Sequence, residues 1–206
     1  MEDPRLHLPW PGHGDRLLVS TAARDPAGGR PGVVLQGLLY VGLLIWSWPL
    51  SIEFGAALTS FLHGGNLVFH EAGHILLLPF GPLLTALGGS LTQIAVPLLC
   101  LVALARHGDR FGASVALWWT GENLLELAPY IADARALALM LLGGATGREV
   151  EGHDWEAILR AVGWLDYDRL LGQTTHVLGV AVIVGALVWG ARRLRAGWSA
   201  HAPAGV

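Results

Sequence analysis

Lysine is absent from this 206-residue chain, and cysteine occurs once, at Cys100. A single thiol in an apolar run excludes an internal disulfide and a cysteine-based zinc cluster, so any metal must be held by histidine and carboxylate. Charge is scarce too: 13 Arg stand against 16 Asp and Glu, for a net charge of −3. So small a balance, with no basic patch, gives no footing for a nucleic-acid partner. Charged residues make up only 14% of the chain against 53% hydrophobic ones, and the mean hydropathy is +0.50. With long uncharged runs, these values predict an all-α, polytopic membrane protein rather than a soluble one with a buried core.

Residues 1–31 are polar, rich in Pro, Gly and Arg, and carry no apolar period. They read as a flexible or interfacial N-terminal segment, with His7 and His13 as solvated loop residues. The apolar run that follows starts too late and is too long for a cleaved signal peptide. Residues 32–195 form the membrane core and 196–206 a C-terminal tail. Spans are expected at Val33–Leu50, Leu83–Ala105, about Phe111–Asp133 and Leu170–Ala191, together with a helix from about Asn66 to Leu78. A short apolar piece at 54–63 or 134–143 would raise the number of transmembrane helices from five to six. Arg192, Arg193 and Arg195 after the last span place the C-terminus in the cytoplasm, and the expected location is the plasma membrane of a prokaryote.

The chemistry concentrates in His70-Glu71-Ala72-Gly73-His74, an HExxH pattern inside an apolar helix. Residues four apart share a helix face, so His70 and His74 can bind one zinc ion together, with Glu71 beside it as general base for a zinc-activated water. From Phe54 to Ala105, Glu71 is the only acidic or basic side chain. An ionisable group in such surroundings is costly and therefore a functional candidate. Asn66 follows Gly65 and reads as the cap of this helix, although it also falls on the ligand stripe. Gly64-Gly65 interrupts the pattern, which argues against His63 as a site residue. Gly73 would let another backbone approach closely.

A second informative stretch is Glu122 to Arg135. Two glutamates, Asn123 and Asp133 at membrane depth need a reason, and a two-histidine site needs a third protein ligand. Asp133, just past Pro129, is the candidate, with Glu122 and Glu126 as rivals. Gly152-His153-Asp154-Trp155 opens an amphipathic helix along the membrane surface, with Asp154 as its N-cap; a role near the metal is the lesser reading for His153 and Asp154. His176 lies near the start of the last span.

With HExxH in a hydrophobic helix and a Pro-then-Asp segment on a later one, the chain resembles the site-2 protease family of intramembrane zinc metallopeptidases. The resemblance covers roughly residues 64–135. It implies Zn2+ held by His70, His74 and Asp133, Glu71 as catalytic base, and Asn123 and Pro129 as looser matches to the substrate-holding part. Asp133 is followed by Ala134 where the family has Gly, and Asn123 lies farther from it than the family's pattern sets. The implied activity is hydrolysis of a peptide bond in a membrane-embedded or membrane-adjacent protein, and the implied partners are that protein and the lipid bilayer. Two other classes use the same residues: a membrane metal-ion or proton transporter, and a non-catalytic zinc-binding scaffold.

Overall fold

A computed structural model describes residues 30–200, and the expectations for residues 1–29 and 201–206, including those for His7 and His13, lie outside them. Six α-helices follow one another: α1 (Arg30–Ile52), α2 (His63–Leu77), α3 (Pro82–Arg106), α4 (Arg110–Ala132), α5 (Asp154–Ala161) and α6 (Asp168–Ala200). Short 3-10 turns at Ala56–Thr59, Leu78–Phe80 and Leu165–Tyr167 link them. Among the described residues there is no strand, only an isolated bridge between Met140 and Thr146.

Breaks fall where backbone chemistry demands them. α2 gives way to the Leu78–Phe80 turn, and Gly81 then adopts a φ of 96°, a left-handed setting that costs glycine little. Pro82 opens α3 at a position where its missing N–H leaves no bond unmade. Asp109 starts α4 by accepting the Gly112 N–H at 2.8 Å.

Among the described residues, three helices are long and apolar enough to cross a membrane: Pro31–Ile52, Pro82–Arg106 and Leu165–Ala200. Their apolar side chains point outward, with Leu35, Ile45 and Trp48 of α1 all about 70% exposed, as a lipid-facing surface requires. α2, at 15 residues, is too short for that measure. α4 has the length, but Glu122, Asn123 and Glu126 interrupt its apolarity. No additional transmembrane helix forms in either expected piece. Residues 54–62 fold into turns and the 3-10 segment, while 136–150 are turns and irregular chain rich in Gly. At the other end, α6 continues through Arg195 to Ala200, into the stretch read as a tail.

α4 is the central helix, buried along most of its length and packed chiefly on α6. Apolar burial drives helix association weakly in lipid, so close backbone approach has to hold the pair. Glycine supplies it. A Cβ on Gly172 would lie 2.6 Å from the Ala128 carbonyl oxygen, and one on Gly179 would lie 2.7 Å from Leu125. Beside this seam, Trp118 packs with Leu43, Leu50, Leu125 and Ile183, and its indole N–H donates to Ser47 Oγ at 2.7 Å. Gly172→Leu is expected to lower the thermal denaturation midpoint in detergent, overpacking costing about 1–3 kcal/mol. Gly37→Leu on α1, where an added Cβ meets no atom within 4 Å, should leave it unchanged. Equal shifts for the two would rule out the glycine seam.

Candidate metal centre

α2 turns one polar stripe toward its neighbours. His70 and His74 lie on it with ring centroids 4.9 Å apart. Room for them comes from glycine on both helices: Gly73 rests directly on the Gly88 carbonyl of α3, and Gly89 lies beneath the His70 ring, where any Cβ would collide with it. The close approach expected at Gly73 is thus present.

Each imidazole is fixed through Nδ1. His74 Nδ1 lies 2.8 Å from the Thr85 carbonyl oxygen, an acceptor only, so this nitrogen carries the hydrogen. His70 Nδ1 lies 2.8 Å from Gln93 Oε1 and donates likewise. In the neutral rings, Nε2 then keeps its lone pair. Both lone pairs aim at one atom, Asp154 Oδ2, at 3.0 Å from His70 and 3.3 Å from His74. Two acceptors facing a carboxylate repel one another unless a cation lies among them. The ligating atoms of the three residues fall within 4.8 Å of one another. Two imidazole nitrogens and a carboxylate, each histidine oriented through its other nitrogen, form a donor set that fits zinc.

Asp154 is the first residue of α5 and is held from three sides. Tyr130 donates its hydroxyl hydrogen to Asp154 Oδ2 at 3.1 Å and accepts the Asp154 N–H at 3.1 Å. Next along, Trp155 Nε1 donates to Ser90 Oγ of α3 at 3.1 Å. His153, not Asp154, caps the helix, its Nδ1 accepting the Glu156 N–H at 3.2 Å. Burial pushes the His153 imidazole below its ordinary pKa, against the pull of nearby carboxylates, which keeps it neutral and able to cap.

Glu71 is half-buried, and no hydrogen bond or ion pair to a described residue engages its carboxylate. Its charge reaches both His70 and Tyr130. His74 and Asp154 remain partly exposed, and a cavity of about 750 Å³ opens beside them, lined by Leu78, Pro82, Thr85, Ala86, Leu137 and Asp154.

The remaining sequence candidates go elsewhere. Asp133 does not join the histidines. The chain turns directly after α4, and the carboxylate accepts the N–H groups of Ala138 (3.1 Å) and Leu139 (2.8 Å), 3.6 Å from His153 Nε2. Glu122 and Glu126 lie farther up α4 and bind Asn66, which sits inside α2 rather than capping it. α2 begins at His63 and runs unbroken through Gly64-Gly65, so His63 does share the stripe, but its Nδ1 meets Glu126 at 2.8 Å. Asn123 is wholly buried and donates to the Trp119 carbonyl at 2.9 Å, and Pro129 is buried with its ring 3.9 Å from where a Gly55 Cβ would stand. Neither lines the cavity. His176 binds the Ser51 carbonyl at 3.1 Å. Sequence reasoning took Asp154 chiefly as a cap, with a role near the metal as its lesser reading. The available signal was two neighbours, His153 and Asp154, both able to fill a single capping position, which leaves one over.

Comparison with models of protein families, with curated proteins and with solved structures finds no match to this chain. Zinc titration of the purified protein checks the donor set: Asp154→Ala is expected to weaken binding by more than the roughly 10–100-fold that losing a group behind a ligand costs, and Asp133→Ala by no more than that. The reverse order would return Asp133 to the third position.

Proposed function

We propose that this chain is an intramembrane zinc metallopeptidase, similar in its HExxH helix to the site-2 proteases. The observation that supports it most is the convergence of His70 Nε2 and His74 Nε2 on Asp154 Oδ2, beside an unengaged Glu71 and an open cavity. His70, His74 and Asp154 would hold the metal. Zinc bound there supplies a Lewis acid that polarises a scissile carbonyl and lowers the pKa of a water. Gln93 and the Thr85 carbonyl keep both Nδ1 atoms protonated, so the Nε2 atoms stay available as donors. Tyr130 holds the Asp154 carboxylate in place. The Glu71 carboxylate takes the proton of the attacking water and delivers it to the leaving amine nitrogen. The cavity between Leu78–Ala86 and Leu137, which Asp154 also lines, would admit an unwound stretch of substrate to the metal side of the site.

In this reading five helices, α1, α2, α3, α4 and α6, lie at membrane depth, with α4 shielded from lipid by its neighbours. The arginines that end α6 set its last turns at the cytoplasmic face of a plasma membrane. The substrate class is a protein segment in or beside the bilayer, since the site lies among apolar helices rather than on a water-facing domain. The third ligand departs from the resemblance, lying on α5 instead of after the Pro-containing helix.

Glu71→Gln separates hydrolysis from metal binding. The variant should keep its zinc and lose cleavage by about 100-fold or more, the range for a general base. Membrane-protein fragments compared between cells expressing wild type and the Gln variant read this out. The same fragments in both would leave the transporter and scaffold readings standing instead.

A further inference from the structure

The polar groups that the metal centre leaves unused gather at the opposite end of α2. Glu122 and Glu126 of α4 are 0% and 4% exposed, and one amide serves both. Asn66 Nδ2 donates to Glu122 Oε2 at 2.9 Å and to Glu126 Oε2 at 2.6 Å. The orientation of this amide is set by Trp119, whose indole nitrogen can only donate and gives its hydrogen to Asn66 Oδ1 at 2.9 Å. Asn66 therefore presents its NH2 group to the carboxylates.

The two acids differ in their other partner. Glu126 meets a group able to be cationic, His63, which is about one-third exposed and gives the cluster a path to the surface. Glu122 meets only neutral ones, Asn66 and Ser60 Oγ at 3.1 Å. With His63 protonated, two carboxylates would still leave one uncompensated negative charge in a dry, apolar pocket. One proton on Glu122 removes it. Ser60 suits that change, because a hydroxyl can donate to a carboxylate or accept from a carboxylic acid. Its oxygen already takes the Leu62 N–H at 3.2 Å and has a second lone pair. The titratable groups facing Glu122 are Glu126 on its own helix and His63 on α2. Over it the 56–60 turn contributes only Ser60, and among the described residues neither α1 nor α6 sends it an ionisable side chain.

We propose that Glu122 is a proton-binding site, protonated at neutral pH within a triad with Glu126 and His63, and that loss of this proton acts as a switch on α2. Deprotonation sets two carboxylates against each other across Asn66, the residue that joins this end of α2 to α4. Asn66 precedes His70 by four residues on the same stripe, so a weakened joint is felt at the histidine pair.

Infrared spectroscopy of the purified full-length protein tests this. At neutral pH the wild type should show the C=O stretch of a buried carboxylic acid, which E122Q lacks and E53Q, at an exposed carboxylate, retains. A band that survives E122Q overturns the proposal. Stability gives a second readout. The folded chain holds a proton that the unfolded chain has released, so wild-type stability is lost as pH rises from about 4.3, where an unfolded glutamate ionises, to neutrality, and E122Q should lose less over that range. Parallel curves for the two proteins overturn it as well. Gln copies the shape and hydrogen-bonding capacity of the neutral acid, so E122Q should fold. A chain that folds with Asp at 122 but not with Gln would show that the ionised form is required, and would also overturn the site. Zinc content measured on the same samples should be unchanged, which keeps this test apart from that of the metal centre.

Discussion

Asp154 Oδ2 is the atom on which the arrangement turns. Two imidazole nitrogens of α2 and the Tyr130 hydroxyl of α4 converge on it, from a residue that begins α5. The imidazoles can point there only because α3 supplies acceptors behind them, Gln93 Oε1 and the Thr85 carbonyl. Four helices are therefore registered against one another through a single carboxylate oxygen. Such convergence is electrostatically unfavourable for two lone pairs and an anion, and either a proton on one imidazole or a divalent cation held by all three groups would relieve it. The close Gly73–Gly88 approach and the space left by Gly89 belong to the same requirement, since any side chain there would push the His70 ring out of line.

A second constraint is the cost of polar groups inside an apolar bundle. The stripe of α2 carries His63, Asn66, His70 and His74, and each is engaged within the protein. The stripe is divided between two neighbours. Its first half faces the glutamates of α4, and its second half faces α3 and α5. Both halves follow one rule, that a buried acid must meet a cation, a proton or enough donors to replace water. Where the partners are imidazole lone pairs a metal ion would meet that rule; where they are an amide and a hydroxyl a proton would.

Much of the fold was legible because helices are written locally. The apolar runs, the breaker at Pro79–Pro82 and the HExxH spacing gave the position of α2 and α3 nearly to the residue. The failures concern contacts across long stretches of chain. Asp154 meets His70 from 84 residues away, and its neighbourhood also read as an ordinary amphipathic helix with a cap. Asn66 looked like a cap because a Gly pair precedes it, yet the glycines stay helical, and the side chain is buried between carboxylates that local pattern cannot place beside it. The sixth span failed for another reason. Apolar pieces at 54–63 and 134–143 are too short to satisfy their own backbone as membrane helices, and they fold as turns under the bundle.

Asp133, expected as the third ligand, lies apart from His70 and His74 and acts on the site at one remove. Its carboxylate gathers the N–H groups of Ala138 and Leu139, which directs the chain away from α4 and toward the loop that returns at residue 152. The same carboxylate faces His153 Nε2, the nitrogen that must carry the hydrogen because Nδ1 accepts from Glu156. His153 in turn fixes the first turn of α5, and the next residue is Asp154. A donor carried on a separate short helix needs such bracing, since α5 has only eight residues and no long helix of its own to hold it. Asp133 on one side and Tyr130 and Ser90 on the other supply it, so the residue expected as a ligand instead braces Asp154, the carboxylate that faces the histidine pair.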